Sequence, residues 1–392
     1  MDAVFARVST DEMNMVRAGR LYANVSLAML TAYAPVDDGA ARLLSLVQGP
    51  PKPKVPEVFD PEVAAIAAGT TVARRLLATR QDRLAVAAAR DTALARLTAG
   101  MESDVISGSV DFGAGIAKAV VARAASDGAS RAARGTASVV EPSPGSWVPT
   151  PPDYLASSEP GWGSVRRFLK VWRQCPVGTP VPGADPASPY EKEATVVKEV
   201  AATLTEQQRL VALFWDDSPG SSGTTVGHWV NIALSESARK GRGSVSTVVT
   251  LASASMSMAD ALAGAWRARH RTPVERPVTV IQRTYPEWSP LLVTPSGPGH
   301  PSAHAAASRA AAEVLTHFLG ESAFHDPGFG VPARSRAAAG VKKQVFESFA
   351  AAARQAGQSR VYGGVEFPMS VRSGDRLGRC IGAAVVDALG GD

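Results

Sequence analysis

Apolar residues recur along most of this chain at the three- and four-residue spacing of an α-helix. The first such stretch covers residues 10–34, where Met15, Leu21 and Val25 fall on one helical face. Thr10 is followed by acidic residues and is a suitable helix N-cap. The pattern therefore predicts one helix over this stretch, beginning at Thr10.

Further helices are predicted wherever the same spacing returns. They cover residues 61–79, 80–100, 112–127, 190–215, 226–240, 244–270, 335–356 and 373–389, and one more begins after Pro301 and ends at Gly320. Residues 50–61 contain five prolines and are predicted to form a linker, and the Pro-, Gly- and Ser-rich residues 135–179 a long surface loop. Alternating Val-, Ile- and Thr-rich runs are almost absent. The chain is therefore predicted to be all-α, with two helical bundles that share one core.

The composition is that of a soluble globular protein, with 45% hydrophobic and 20% charged residues in a chain of 392. No run of about 18 apolar residues occurs, so no membrane span is expected. The N-terminus lacks the apolar segment of a signal peptide, which favours a cytoplasmic location. Cys175 and Cys380 are too few and too far apart for a zinc site or a disulfide framework. Both are expected to be reduced structural thiols.

The net charge of +5 and the isoelectric point near 9.3 raise the question of an acidic partner. The basic residues are spread along the chain, without a dense Lys/Arg block or a nucleic-acid-binding motif. Nucleic-acid binding is therefore not expected. A basic pocket for a small anion is the better use of the excess charge.

Two arginines in "WRARHRTPVERPVTVIQ" (266–282) are candidates for such a pocket. Arg269 and Arg276 lie seven residues apart, and the intervening Pro273 predicts that a helix ends between them. A loop could then bring both guanidinium groups to one site, where their forked donors suit a phosphate-like oxyanion. The alternative is two solvated surface arginines.

A second motif, "GHPSAHAAASRAAAEVL" (299–315), places Ser302 and His304 at a predicted helix N-terminus. Free backbone N–H groups and the helix dipole favour an anion there. Ser302 can donate a hydroxyl hydrogen bond, and His304 can give or take a proton. Ser302 could instead simply cap the helix.

The third motif, "GQSRVYGGVEF" (357–367), combines features that favour an anion with one that opposes it. Arg360 can bind an oxyanion, and Gly363 and Gly364 permit close approach of the backbone. Glu366 follows two residues later, and its carboxylate would repel the same anion.

Together the three motifs resemble those of the vanadium-dependent haloperoxidases and the related type 2 phosphatidic acid phosphatases. The pattern of that superfamily is K-x6-RP, PSGH and SR-x3-G-x-H, and here the parts read "RHRTPVERP" (269–277), "PSAH" (301–304) and "SRVYGGVE" (359–366). The segments 214–233 and 285–304 are also similar to the soluble bacterial branch. The resemblance implies one haloperoxidase-like helical domain over residues 1–392. Its N-terminal bundle would span about 10–130, a loop region about 135–195, and a site-bearing bundle about 196–392.

In that superfamily the three motifs hold vanadate or phosphate. Arg269 falls where the family has lysine, and Ala303 replaces the glycine of PSGH. Glu366 falls where the family has the histidine that bonds vanadium or attacks phosphorus, and Ser370 where haloperoxidases often carry an aspartate. The anion-binding set implied by the resemblance is Arg269, Arg276, Ser302, Ala303, Arg360 and Gly364.

The glutamate makes ordinary vanadate or histidine-nucleophile chemistry doubtful, because a carboxylate repels an anion in a partly dry pocket. Glu366 could neutralise part of the arginine charge through an ion pair. It could instead form an acid/base pair with His304, which makes these two the candidate catalytic residues. No cofactor or metal is expected, although phosphate or vanadate could occupy the arginine-lined site.

Three functions are open at this stage. The first is a vanadium-independent isomerase or cyclase that acts on a prenylated aromatic or polyketide in bacterial natural-product biosynthesis, as some relatives do. The second is a haloperoxidase with unusual ligation, or a phosphoryl- or diphosphate-handling enzyme. The third is a catalytically silent relative. A small-molecule substrate is expected, and a homodimer is a family-level expectation.

Two further histidines are pocket candidates. His228, in "VGHWVN", could line the pocket mouth or pack beside Trp229. His300 could reach the site from its place beside the second motif, or could point to solvent.

Overall fold

The computed structural model describes residues 1–134, 145–171, 175, 189–220, 222–328 and 340–390. Helices form most of this part of the chain, which confirms the all-α prediction. The first half contains α1 (Asp2–Thr10), α2 (Met15–Tyr33), α3 (Asp38–Ser45), α4 (Pro61–Leu76), α5 (Arg80–Leu97), α6 (Ser103–Ala125), α7 (Ala129–Arg134) and a short 3-10 helix (Pro160–Ser164).

The second half carries the three motifs. Its helices are α8 (Pro189–Ala202), α9 (Glu206–Phe214), α10 (Thr224–Arg239), α11 (Ser244–Arg271), α12 (Pro277–Gln282), α13 (Ala303–Leu319), α14 (Phe349–Tyr362) and α15 (Pro368–Gly390). A small antiparallel hairpin joins β1 (Phe324–Asp326) to β2 (Gln344–Phe346), with Phe324 opposite Phe346.

One predicted helix begins later than expected and another is divided in two. The stretch from residue 10 to 34 breaks before Met15, because the Asn14 side chain caps α2 by accepting the Arg17 N–H at 3.0 Å. Thr10 ends α1 and is not an N-cap. The stretch from 190 to 215 breaks at Thr205, which forms a capping box with Gln208. Local capping thus overrides a continuous apolar stripe in both places.

The last predicted stretch, 335–356, is only partly described. Residues 335–339 lie outside the described residues, and 344–346 form β2. The helix α14 begins only at Phe349, where the Ser348 hydroxyl accepts the Ala351 N–H at 3.1 Å.

One large hydrophobic cluster runs through both halves of the described chain. Helix α2 packs against α4 on one side and α11 on the other, and α11 also packs against α13. Helices α6 and α11 are long and apolar enough to cross a membrane, but the apolar window of α11 is entirely buried inside the fold. This burial fits a core helix of a soluble protein. The proposed boundaries of the bundles stay predictions.

Helices α13 and α15 meet along a line of glycines. Gly374, Gly378 and Gly382 recur every four residues on α15 and so share one face. A Cβ at Gly374 would lie 2.1 Å from the Ser302 carbonyl oxygen, and one at Gly378 would lie 2.2 Å from that of Ala306. The two backbones therefore touch, which fixes the start of α13 and with it the second motif.

The two cysteines form a disulfide, so the prediction of reduced thiols is wrong. Cys175 and Cys380 are 205 residues apart in sequence, but their Cα atoms are 5.6 Å apart. The prediction failed because a large sequence separation does not exclude proximity in the fold. Cys380 lies on the long helix α15, and the fold brings this helix beside Cys175. A disulfide is more typical of an oxidising compartment than of the cytoplasm.

Candidate functional site

The first motif turns inward at the end of α11. Arg269 lies in the last turn of α11, and Arg276 is the N-cap residue of α12, which has Pro277 at its first position. The exposed fraction is 6% for Arg269 and 1% for Arg276. The alternative of two solvated surface arginines is therefore wrong.

The carboxylate of Glu366 lies between these two guanidinium groups. Its Oε1 is 3.2 Å from Nη2 of Arg269 and 3.7 Å from Nη1 of Arg276. Glu366 is 3% exposed, and its Oε2 has no hydrogen-bond partner within the described part of the chain. The structure thus gives Glu366 the ion-pair geometry considered for it from the sequence.

Arg276 is held almost entirely by backbone carbonyls. Its Nε donates to Gly297 at 2.8 Å, Nη1 to Val365 at 2.9 Å and Nη2 to Pro295 at 3.2 Å. Burial and the neighbouring Arg269 lower the pKa of Arg276 to about 9. Because each nitrogen already has an acceptor, this guanidinium has few donor directions left for a ligand.

Arg269 and Arg360 complete the group of buried arginines. Nε of Arg269 donates to the Pro301 carbonyl at 2.8 Å, and Nη1 of Arg360 donates to that of Asp216 at 3.3 Å. Nε of Arg360 is buried and finds no acceptor among the described residues. We call Arg269, Arg276, Arg360 and Glu366 the arginine cradle.

The second motif contributes a cap and a buried imidazole. The Ser302 hydroxyl accepts the Ala305 N–H at 3.0 Å, so the capping role of Ser302 is observed. His304 lies in the first turn of α13 and is 3% exposed, directly after the buried Ala303. Its Nδ1 is 3.0 Å from the Thr225 hydroxyl, and its buried Nε2 lacks a hydrogen-bond partner in the described segments.

The environment of His304 keeps its imidazole neutral. Burial, the charge of Arg360 and the charge of His228 all lower its pKa well below the ordinary value. A neutral imidazole can act as a base at neutral pH.

The two glycines of the third motif serve a turn. Gly364 has φ +75, and a Cβ there would lie 3.0 Å from the Pro290 side chain. The carbonyl of Gly363 accepts the Leu292 N–H at 3.0 Å. The turn therefore packs against the segment that leads to the second motif. Glycine at position 364 is thus required by the backbone conformation and by close packing, independently of anion binding.

His300 points into the protein and not to solvent. It is 4% exposed, and its Nδ1 lies 3.2 Å from the hydroxyl of Ser370. Burial and Arg269 lower its pKa to about 4, although Glu366 opposes this shift. His300 is therefore a second neutral imidazole next to the cradle.

His228 is fully buried and so does not line a pocket mouth. It stacks on Trp215, with 4.5 Å between ring centroids, and bonds two carboxylates. Its Nδ1 is 3.0 Å from Oδ1 of Asp217 and its Nε2 is 2.7 Å from Oδ2 of Asp326. Sequence reasoning assigned no site role to Asp217 or Asp326, because no local spacing connects them.

No group of three or more His, Cys, Asp or Glu side chains in the described ranges is arranged to hold a metal ion. The candidate site thus consists of the arginine cradle, the neutral imidazoles of His300 and His304, and the buried carboxylates around His228.

The comparisons with known proteins agree with this architecture. The family model described as the VCPO second helical-bundle domain matches residues 283–390. A solved structure described as the first bacterial vanadium-dependent iodoperoxidase matches with a TM-score of 0.86 and 27% identity, covering 99% of this chain and 94% of that one. Residues 283–390 thus match a domain of the vanadium haloperoxidases, and the chain as a whole shares the haloperoxidase fold.

Two bacterial vanadium-dependent chloroperoxidase structures share the haloperoxidase fold more distantly. The holo form matches with a TM-score of 0.70 and 16% identity over 96% of this chain and 92% of that one. The apo form matches with a TM-score of 0.67 and 17% identity over 98% and 95%. A search of curated proteins finds no significant match.

The haloperoxidase family model covers only part of the candidate site. It includes His304, Arg360 and Glu366, whereas Arg269 and Arg276 precede it. The correspondence of Glu366 with the vanadate-binding histidine stays a prediction of the motif spacing.

Proposed function

We propose that this haloperoxidase relative is a vanadium-independent acid/base enzyme, an isomerase or cyclase. The observation that supports this most is the position of Glu366. Its carboxylate accepts charge-assisted contacts from Arg269 and Arg276 inside the buried cradle. The protein's own carboxylate thereby provides the negative charge that a bound oxyanion would otherwise supply.

The residues present do not fit vanadate. A vanadate ion would have to displace Glu366 from Arg269, and the nitrogens of Arg276 are already bonded to three carbonyls. If Glu366 stayed in place, its charge would repel the ion by several kcal/mol on an order-of-magnitude Coulomb estimate. We therefore derive no reaction step through vanadate.

The remaining groups suit a proton transfer next to a carbonyl. In the proposed reaction, Nε2 of the neutral His304 takes a proton from a carbon beside a substrate carbonyl. The negative charge passes to the carbonyl oxygen, where the unpaired Nε donor of Arg360 would stabilise it. His304 then returns the same proton at another carbon, which completes an isomerisation without a net change in atoms.

Exposed apolar side chains near the cradle favour an apolar substrate. Leu291 is 41% exposed and Val293 is 65% exposed, on the segment that packs against the third motif. Tyr154 and Leu155 are likewise exposed, on a loop whose Ser157 contacts Gly297 of the same segment. A prenylated aromatic or polyketide would suit these exposed apolar side chains, and we therefore propose a role in bacterial natural-product biosynthesis.

The test combines metal content with product formation. Host strains would carry the wild-type chain, His304→Gln or His317→Gln, an exposed control on the same helix. We expect one metabolite to be lost and its isomer to accumulate only with His304→Gln. An unchanged metabolite profile for His304→Gln and for Glu366→Gln would instead indicate a silent relative.

A second candidate function is supported by the overall match to an iodoperoxidase at 27% identity. In this reading the cradle still binds vanadate or a phosphoryl group. Elemental analysis after incubation with vanadate, halide oxidation and phosphate release from an isoprenoid diphosphate would test it. Stoichiometric vanadium with halide oxidation in the wild-type protein would overturn the first proposal. Vanadate binding that appears only in Glu366→His would instead support the first proposal.

A further inference from the structure

Three charged side chains from distant segments form a buried cluster that the motifs do not include. Asp217 follows α9, His228 lies in α10 and Asp326 ends β1. Their exposed fractions are 2%, 0% and 0%. We call these three residues the Asp–His–Asp cluster.

The hydrogen-bond pattern makes His228 a cation. A carboxylate only accepts hydrogen bonds, and both ring nitrogens of His228 lie within 3.0 Å of a carboxylate oxygen. Only the imidazolium form has a proton on each nitrogen. Burial opposes this charge, but the two carboxylates outweigh burial and raise the pKa of His228 to about 10.

The cluster leaves one carboxylate oxygen for another purpose. Oδ1 of Asp326 accepts the Gly328 N–H at 2.7 Å, so both oxygens of Asp326 are bonded. Oδ2 of Asp217 is buried and has no hydrogen-bond partner in the described segments. It lies 3.8 Å from Nε2 of His304, which also has no hydrogen-bond partner among the described residues.

The backbone also indicates that Asp217 is held for a purpose. Its φ is +50, in the left-handed region that favours glycine. Such a conformation persists in a non-glycine residue only where the surroundings enforce it, and such residues concentrate at functional sites. Oδ1 of Asp217 is bonded by His228 at 3.0 Å and also lies 3.5 Å from the Ser222 hydroxyl.

We propose that His228 and Asp326 are positioning residues that hold Asp217 as an anion against Nε2 of His304. The gap of 3.8 Å between Oδ2 and Nε2 is too long for a direct hydrogen bond, but both atoms can bond the same substrate hydroxyl or water. When His304 takes a proton at Nε2, the neighbouring carboxylate stabilises the imidazolium. This role rests on the proposed function of His304 as the acid/base group.

The positive charges around His304 oppose its protonation, and a nearby anion has to offset them. Arg360 and His228 are positive and disfavour a second cation at His304. Asp217 is the carboxylate within 4 Å of the ring, and Thr225 is the neutral partner at Nδ1. Removing the negative charge at residue 217 would therefore leave the protonated His304 without an adjacent anion.

Side-chain 15N NMR of histidine-labelled protein tests the arrangement without any substrate. In the wild type at pH 7 we expect His228 to carry protons on both nitrogens and His304 on one. Asp326→Asn and Asp217→Asn should each change the ring signals of both histidines. His325→Gln is the matched control, because His325 is an exposed neighbour of Asp326 in the same strand. His304→Asn and His228→Asn assign the signals.

The expected functional effect is graded. Asp217→Asn should lower product formation by about 100-fold, within the range for a general acid/base group. Asp326→Asn should lower it by about 10-fold and shift the pH–rate profile, as an outer-shell partner does. A purely structural cluster would lower the melting temperature without moving the pH profile or the His304 signals.

Two results separate failure of this inference from failure of the proposed function. A neutral His228 in the wild type at pH 7 would overturn the inference even if no variant folds. Unchanged His304 signals in folded Asp326→Asn and Asp217→Asn would also overturn it. If those signals change but His304→Gln leaves every metabolite unaltered, the positioning stands and the acid/base function is wrong.

Discussion

Two buried charged clusters approach His304, and they are built in opposite ways. The arginine cradle sets three cations against one carboxylate, and backbone carbonyls accept a bond from each nitrogen of Arg276. The Asp–His–Asp cluster sets two carboxylates against one cation, and side chains make its principal bonds. The first cluster is anchored to the fold, whereas the second depends on the protonation of a single imidazole. The comparison teaches that the two should fail under different conditions.

The largest effect is expected from removing the carbonyl-bonded arginine. Arg276→Ala leaves Glu366 buried beside one fewer cation and three carbonyls without their donor. We expect a loss of about 3–5 kcal/mol in the free energy of unfolding, measured with urea. Arg209→Ala is the control, because Arg209 and its partner Glu206 are both exposed, so its loss should be much smaller. Equal losses in the two variants would show that burial of Arg276 contributes little.

A substitution at the glycines of α15 that pack against α13 should lower the stability almost as much. Gly378→Ala would place a Cβ 2.2 Å from the Ala306 carbonyl oxygen, so the helices must separate. We expect a destabilisation of about 3 kcal/mol, measured by unfolding with urea. Gly115→Ala in α6 is the matched control, since a Cβ there meets only the Pro53 side chain at 3.8 Å. It should stabilise the protein by about 0.5–1 kcal/mol, because alanine is the better helix former.

Base should loosen the Asp–His–Asp cluster. The pKa of His228 rises from 6.5 in the unfolded chain to about 10 in the folded protein. Its stabilisation is therefore complete below pH 6.5 and is lost as the pH rises through 10. Between pH 6.5 and 9 the free energy of unfolding, measured with urea, should fall by about 3 kcal/mol more in the wild type than in His228→Gln. Parallel stability curves for the two proteins would contradict the assigned charge.

A fall in pH should lower the stability of the protein by protonating His300, which lies next to the arginine cradle. Its pKa falls from 6.5 to about 4 on folding, so the neutral form is favoured in the folded protein. The associated stability is present above pH 6.5 and is lost as the pH falls from 6.5 to 4, by about 3 kcal/mol. His300→Gln should remove this part of the acid sensitivity in thermal unfolding between pH 7 and 4. His317→Gln, at an exposed position, should leave the acid sensitivity unchanged.

The difference between the clusters also explains what the sequence could predict. Arg269, Arg276, Arg360 and Glu366 lie in the first and third motifs, whose order and spacing are visible in the chain, so their convergence could be inferred from the resemblance. The Asp–His–Asp cluster joins residues 11 and 98 positions apart. Neither separation has a periodic signature, because the contacts depend on how α10 and the hairpin pack.

The same limit applies to other details of the fold. The broken helices at Asn14 and Thr205 follow from side-chain caps that compete with a continuous apolar pattern. Apolar spacing identified the long helices α4, α5, α10 and α11 with nearly the observed bounds, because their packing faces are regular. The function stays a proposal, since the charge of a site does not specify the substrate.

The disulfide between Cys175 and Cys380 has a consequence for how damage to the protein would be seen. It closes a covalent ring of the chain that contains every residue of the cradle and of the Asp–His–Asp cluster. A single proteolytic cut anywhere inside this ring would leave one connected molecule of unchanged size on a non-reducing gel. Only reduction would release the two fragments, so an intact mass is no proof that the backbone around the site is intact.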